Sequence, residues 1–180
     1  MEVAVNRSRK PDRTEAAEYY FRYIDLVPEA DITRTLAAQA GDTVALLRGI
    51  SEKDSLHRYA PDKWSIRQVV GHVNDTERLF VFRAFWFARG FDTPLPSFDQ
   101  NVAIAGADFD DRSWSSLVDE FAAVRAGTRS FFEHLAPEAW DRRGIASDNP
   151  FTVRALAYIA AGHVSHHAAI LQDRYLGRRS

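Results

Sequence analysis

The sequence predicts an all-α fold, a bundle of four helices, and three observations predict it. Four stretches repeat apolar residues at three-to-four spacing, the period of one helix face. Each of them begins near a residue type that favours helix N-termini. No stretch of useful length alternates apolar and polar residues as a half-buried strand does. With 180 residues, 46% of them hydrophobic, the chain is large enough for one domain with a real core.

The first two helices have clear boundaries. Helix one is predicted from the N-cap residue Asp31 to Gly49. Helix two begins at the capping box Ser65-Ile-Arg-Gln68 and extends to Gly90. It is apolar around much of its circumference, which predicts a mostly buried helix. Helix two carries more large apolar residues than one core can bury. They are Phe80, Phe82, Phe85, Trp86 and Phe87.

Helix three is predicted from Ser113 to just before Pro137, and helix four from the N-cap Thr152 to Gly177. A connection of about twenty residues, 91–111, precedes helix three, and loops this long in compact domains are often functional. Its aromatic and polar residues favour packing over disorder. Two interpretations stay open for it, a lid over one end of the bundle and a plain surface excursion.

The N-terminal part divides in two. Residues 1–18 are polar and mixed in charge, which predicts a flexible arm. Residues 19–28 are aromatic enough to pack, for example across the bundle. The predicted organisation is therefore an arm over residues 1–18 and a single domain over residues 19–180.

Composition excludes several function classes. A net charge of −2 and a pI near 6.3 give no sign of binding to nucleic acid or to an anionic membrane surface. The absence of cysteine excludes disulfides and thiolate ligands, so a metal must be held by His, Asp or Glu, and a reactive thiol must come from a substrate. No run approaches 18 consecutive apolar residues and no apolar signal segment is visible, so we expect a cytoplasmic protein.

Histidines inside apolar helices are the most informative feature. His163 and His167 are four residues apart in the core stripe of helix four, so they lie on one helix face. His166 falls on an edge row, although spacing of three can also chelate. On helix two, His72 shares the face of Val69, Thr76 and Leu79. A single core histidine is more often a hydrogen-bonded structural residue, but three at these spacings favour a metal site. Asp75, one turn on, is the candidate to orient an imidazole, whereas His57 and His134 are predicted to be surface residues.

Two runs of sequence surround these histidines. The first runs from Tyr59 to Arg78 and contains Trp64 and His72. The second runs from Val153 to His167, with Arg174-Tyr-Leu after it. Both runs resemble the signatures of the DinB-like superfamily of metal-dependent proteins. Residues 94–100 and 124–128 fit the family between them, so the resemblance covers residues 19–176.

The resemblance implies an up-down-down-up four-helix bundle that is often dimeric. It also implies a divalent metal, most often Ni²⁺ or Zn²⁺, held by His72, His163 and His167. Many relatives carry Glu directly after the first histidine of helix four. Here that residue is Val164, so the Glu general base of the zinc proteases is absent.

Three function classes remain open on the sequence. The first is a metal-dependent enzyme acting on a small molecule, a thiol transferase or a hydrolase, because relatives include enzymes that use low-molecular-weight thiols. The others are a stress-related metal-binding protein without chemistry and a helical interaction module. Arg83 and Arg125 are candidates to hold a substrate carboxylate, while structural pairing with Glu77 is the alternative. Because helix two carries surplus apolar residues, we also expect a homodimer.

Overall fold

Side-chain caps start the four long helices where the sequence predicts them. The computed structural model describes residues 9–28 and 30–177. Asp31, Ser65, Ser113 and Thr152 each accept a hydrogen bond from a backbone N–H of the first turn, and Ser65 and Gln68 form the complete capping box. The helices are α1 (Phe21–Ile24), α2 (Ile32–Arg48), α3 (Ile66–Ala88), α4 (Gln100–Ala105), α5 (Trp114–Glu133) and α6 (Val153–Ile170).

Contacts between the long helices fix their directions. The indole of Trp114, which begins α5, donates to the carbonyl of Leu47 at the end of α2 at 3.1 Å, so these helices are antiparallel. Asn74, early in α3, donates to the carbonyl of Leu117, early in α5, so α3 and α5 are parallel. The start of α3 meets the end of α6 at His72 and His163. The order is therefore up-down-down-up, which confirms the predicted four-helix bundle.

A buried polar network joins all four long helices at mid-height. Arg125 of α5 pairs with Glu77 of α3 at 2.8 Å, and both side chains are buried. Arg125 also donates to Gln39 of α2 at 3.2 Å. The Gln39 amide in turn donates to Ser165 and to the carbonyl of Ala161 on α6. Because a polar group left unpaired in the core is costly, this network favours one register of α6 against its neighbours.

A short antiparallel hairpin precedes α6, which the prediction of purely helical structure did not include. Strands β1 (Arg143–Ala146) and β2 (Asn149–Thr152) are joined by a two-residue turn. The turn residues Ser147 and Asp148 both have positive φ angles, 51° and 59°. At the other end, α6 passes into a π-helical turn, Leu171–Leu176, so the predicted fourth helix changes type before Gly177.

The segment before α1 packs on this hairpin. The backbone carbonyl of Glu15 accepts a hydrogen bond from the Thr152 N–H at 2.9 Å, and Ala16 pairs with Phe151. The Glu15 carboxylate is buried against Arg154 at 2.8 Å. In residues 9–18 the structure thus shows a packed segment in place of the predicted flexible arm. Residues 1–8 of that arm lie outside the described residues.

The connection between α3 and α5 runs along the side of the bundle. Because these helices are parallel, it must return over their whole length. It starts at the hairpin, where Leu95 exchanges backbone hydrogen bonds with Ile145 and Ser147. It ends at the start of α3, where Asp110 pairs with Arg58 at 2.6 Å. Of the two open interpretations, a lid over one end of the bundle is therefore wrong, whereas the prediction that the segment packs is correct.

The surplus aromatic residues of α3 have different surroundings. Phe80 and Phe87 are buried, and Trp86 stacks on Phe91 with ring centroids 4.2 Å apart. Phe82 and Phe85 remain 47% and 38% exposed beside a groove between α3 and α5. Among the described residues, no helix combines the length and apolar character that a membrane span requires.

Candidate metal centre

The antiparallel packing of α3 and α6 brings His72, His163 and His167 together. The Nε2 atoms of His72 and His163 are 3.2 Å apart, and those of His163 and His167 are 3.1 Å apart. One ring nitrogen from each of the three lies within 4.8 Å of the other two. Two nitrogens bound tetrahedrally to one Zn²⁺ at about 2.0–2.1 Å would be about 3.3 Å apart. The observed spacing thus fits a single small divalent cation.

Burial keeps the three imidazoles neutral. It lowers the pKa of His72 to about 4 and is the main cause that lowers the pKa of His167 to about 3. Burial, together with the neighbouring His167 and His72, also lowers the pKa of His163 well below its usual value. At neutral pH all three rings therefore carry a free lone pair on one nitrogen. This is the form in which histidine binds metals.

Thr76 fixes the tautomer of His163. Its hydroxyl donates to the carbonyl of His72 at 2.6 Å, which uses its only proton. The Thr76 oxygen lies 3.3 Å from Nδ1 of His163 and must therefore accept a hydrogen bond from the N–H at that nitrogen. Nε2 of His163 is then left with its lone pair, directed at Nε2 of His72 and of His167. That lone pair can accept a hydrogen bond from a neighbouring Nε2–H or bind a cation between the rings.

The comparisons with known proteins agree with this architecture. The family model of the DinB superfamily matches residues 35–171. The chain belongs to the DinB superfamily. No curated protein matches it by sequence. Among solved structures, the fold resembles YfiT from Bacillus subtilis, described as a probable metal-dependent hydrolase with an unusual four-helix bundle topology. That likeness has a TM-score of 0.68 at 17% identity and covers 96% of this chain and 99% of YfiT.

The matched region of the DinB superfamily includes all three histidines, but other predicted site residues lie elsewhere. Asp75 pairs with Arg78 at 3.3 Å instead of orienting an imidazole, so that prediction is wrong. Glu77 pairs with Arg125, as the structural alternative predicted. Burial raises the pKa of Glu77, and Arg125 opposes that rise. Val164 is buried, and it lines a small cavity between α2, α3, α5 and α6 that His167 also lines.

His166 lies on the edge of the site, as predicted. Its ring packs edge-on against Tyr23 and against His167, with centroids 5.4 and 5.1 Å apart. Its side chain is only half-buried, and it does not belong to the group of three converging nitrogens. His57 and His134 are exposed, as predicted.

His72 and His163 line a cavity of about 250 Å³, whereas His167 lines a separate cavity of about 190 Å³. The walls of the larger cavity come from α3, from α6, from the N-terminal aromatic segment and from the α3–α5 connection. Besides His72 and His163, the lining includes Tyr20, Tyr23, Phe80, Arg83, Phe98, Gln100 and Ser147. The sequence indicated that residues 19–28 pack across the bundle, but it gave no signal for Ser147. A metal ion held at the three nitrogens would lie beside the cavity that His72 and His163 line, which has room for a small molecule.

Proposed function

We propose that the chain is a metal-dependent enzyme that transfers a small thiol to an electrophile. The observation that supports this most is the cavity that His72 and His163 line, because no fourth ligand from the described residues joins the three histidines there. Structural zinc sites are normally closed by four protein ligands, whereas catalytic sites keep a position free. A divalent cation bound there, Zn²⁺ or Ni²⁺, would supply a positive charge that stabilises a deprotonated thiol or water.

The cavity lining favours a thiol over water as the nucleophile. None of the described residues that line it is Asp or Glu, and Val164 takes the place of the zinc-protease glutamate. A hydrolase of that type needs a carboxylate to remove the proton of water. A thiol has a much lower pKa than water, so it ionises beside a cation without such a base. The chain has no cysteine, so the thiol must be a cosubstrate.

The protein's own residues have three roles in this proposal. The three neutral imidazoles hold the cation, and Thr76 keeps His163 in the tautomer that offers Nε2. The aromatic side chains of Tyr23, Phe80 and Phe98 line the cavity and reduce access of water to it. The amide of Gln100 is a polar group on the same wall, suited to contact the substrate.

Metal content is the first test. Protein purified without added metal and then incubated with Zn²⁺ or Ni²⁺ should hold one ion per chain by elemental analysis. His163→Ala and His167→Ala should lose it, whereas His166→Ala should retain it. Equal loss of metal in all three variants would show that His166 is also a ligand. Retention of the metal in all three variants would show that these histidines do not bind it.

Turnover is the second test. The reaction of 1-chloro-2,4-dinitrobenzene with a thiol forms a carbon–sulfur bond, expels chloride and releases the thiol proton to solvent. We expect the metal-loaded protein to accelerate it with at least one of glutathione, cysteine or N-acetylcysteine, and His163→Ala to abolish the acceleration. Hydrolysis of 4-nitrophenyl acetate without thiol would instead favour the hydrolase alternative. Metal binding with neither activity would favour a binding protein without chemistry.

A further inference from the structure

One face of α3 connects the histidine group to a buried arginine. His72, Thr76, Phe80 and Arg83 are spaced by three or four residues and all line the cavity. Eleven residues of helix place the α-carbons of His72 and Arg83 about 16 Å apart along the axis. Long side chains on a helix lean toward its N-terminus, so the guanidinium reaches back toward His72. The cavity therefore has a metal-binding end, an aromatic middle and a cationic end.

Arg83 is buried, and the described part of the chain gives it no anionic partner. It is 2% exposed, yet among the described residues no carboxylate pairs with it. Its Nη2 donates to the Ser147 hydroxyl at 2.8 Å and to the Pro96 carbonyl at 3.2 Å, while its Nε has no hydrogen-bond partner. Burial lowers the pKa of Arg83, and nearby Tyr20 opposes this. A guanidinium taken out of water costs several kcal/mol unless a negative charge offsets it.

The hairpin turn presents the side chain of Ser147 to Arg83. Ser147 has a φ of 51°, in the left-handed region where residues other than glycine, asparagine and aspartate are disfavoured. Turns of this type usually carry glycine or asparagine. The serine that is present places its hydroxyl on Arg83, at the end of the cavity remote from the histidines. Strained backbone of this kind is often found at ligand sites.

We propose that Arg83, with Ser147 and Tyr20 beside it, binds a carboxylate group of the substrate whose other end reaches the three histidines. This inference rests on the proposed function, because it identifies the substrate class of the same site. A guanidinium is the side chain best suited to a carboxylate, with two parallel N–H donors. The substrate is then an elongated molecule, with a carboxylate at one end and an apolar body beside Tyr23, Phe80 and Phe98.

A purely structural role for Arg83 is the competing explanation, because its two hydrogen bonds join the connection to the hairpin. Affinity measurements separate the two roles. Zinc-loaded protein, its metal content measured first, is titrated calorimetrically with 6-mercaptohexanoate and with the uncharged 6-mercaptohexan-1-ol. Both thiols have the same chain and the same sulfur, so their difference reports the carboxylate alone.

The proposal expects the carboxylate to bind about 10- to 100-fold more tightly than the alcohol, as for a charge-assisted hydrogen-bonded pair. Arg83→Gln should abolish this preference while its zinc content and its affinity for the alcohol stay unchanged. Arg83→Lys, which keeps the charge, should retain part of the preference. Equal binding of both thiols to the unaltered protein, or the same preference in Arg83→Gln, would overturn the proposal.

A second pair of probes separates this proposal from the metal chemistry. Hexanoate and hexan-1-ol lack sulfur, so their binding does not depend on a thiol bound at the histidines. If no zinc binds, or neither thiol binds, the proposed function fails. A preference for hexanoate that is lost in Arg83→Gln then still supports the carboxylate site. If zinc or thiol binding fails and the protein also shows no preference for hexanoate, the carboxylate site is overturned as well.

Discussion

Replacing Gly162 by alanine should separate α1 from α6. Gly162 lies between the network residue Ala161 and His163, and the backbone of Tyr23 packs directly against it. A Cβ at this position would be 2.0 Å from the Tyr23 carbonyl oxygen and 2.4 Å from its carbonyl carbon. Ordinary contact begins at 3.4 Å, so one backbone must move by about 1.4 Å. Neither atom belongs to a flexible side chain that could rotate away.

The expected cost follows from that displacement. Overpacking a close contact typically destabilises a protein by about 1–3 kcal/mol, and here it outweighs the gain in helix propensity. Gly41 is the matched control, because it lies inside α2 and a Cβ there would meet nothing within 4 Å. Gly41→Ala should therefore stabilise the protein by about 0.5–1 kcal/mol. Replacing glycine by alanine is thus expected to destabilise the protein in α6 and to stabilise it in α2.

Urea denaturation followed by circular dichroism measures both changes. The two variants should differ in free energy of unfolding by about 1.5–4 kcal/mol, with similar dependence on denaturant. Because Tyr23 packs on His163 with centroids 5.2 Å apart, Gly162→Ala should also disturb the cavity wall and weaken binding of the mercaptohexan-1-ol probe. If Gly162→Ala is as stable as Gly41→Ala, the close approach of α1 to α6 is refuted.

Three further results are expected. Glu77→Ala should lower the free energy of unfolding in urea by about 3–5 kcal/mol, because it leaves buried Arg125 without its carboxylate partner. A double Glu77→Leu, Arg125→Met variant should recover much of the lost stability, and no recovery would contradict this. The metal-free protein should lose stability as pH falls below 6.5, because the unfolded chain then binds protons that the buried His72 and His167, with pKa values lowered to about 4 and about 3, do not. Each should contribute up to about 1.4 kcal/mol per pH unit, so unchanged stability between pH 7.5 and 5 would argue against the burial. Light scattering should give the mass of a homodimer, and Phe82→Glu in the exposed α3–α5 groove should give a monomer; a monomeric unaltered protein would contradict this.

Features that depend on local chemistry were predictable from the sequence. Helix starts at Asp31, Ser65, Ser113 and Thr152 follow from hydrogen bonds within three residues of each cap. The pairing of histidines on one face of α6 follows from the helical period alone. His72 could be added because its helix was clearly apolar and therefore buried.

Features that depend on distant contacts were not predictable. The hairpin has four-residue strands and no glycine in its turn, and it is supported by Leu95 and Ala16 from elsewhere in the chain. The N-terminal segment is polar, yet Glu15 is buried because Arg154, 139 positions later, pairs with it. Spacing makes Asp75 a candidate to orient an imidazole, but its carboxylate pairs with Arg78, three residues on. Local pattern cannot choose between partners at equal spacing.

The two buried arginines show why pairing, more than burial, distinguishes structure from function. Both Arg83 and Arg125 are almost completely buried, so both pay a desolvation penalty that uncharged partners only partly offset. Arg125 has Glu77 at 2.8 Å and joins four helices, so its charge is compensated within the protein. Among the described residues Arg83 has a carbonyl and a hydroxyl as partners and no carboxylate, so its charge is available to an anionic ligand. An anionic group entering the cavity would gain this attraction, and this is why we propose Arg83 as the residue that selects the substrate.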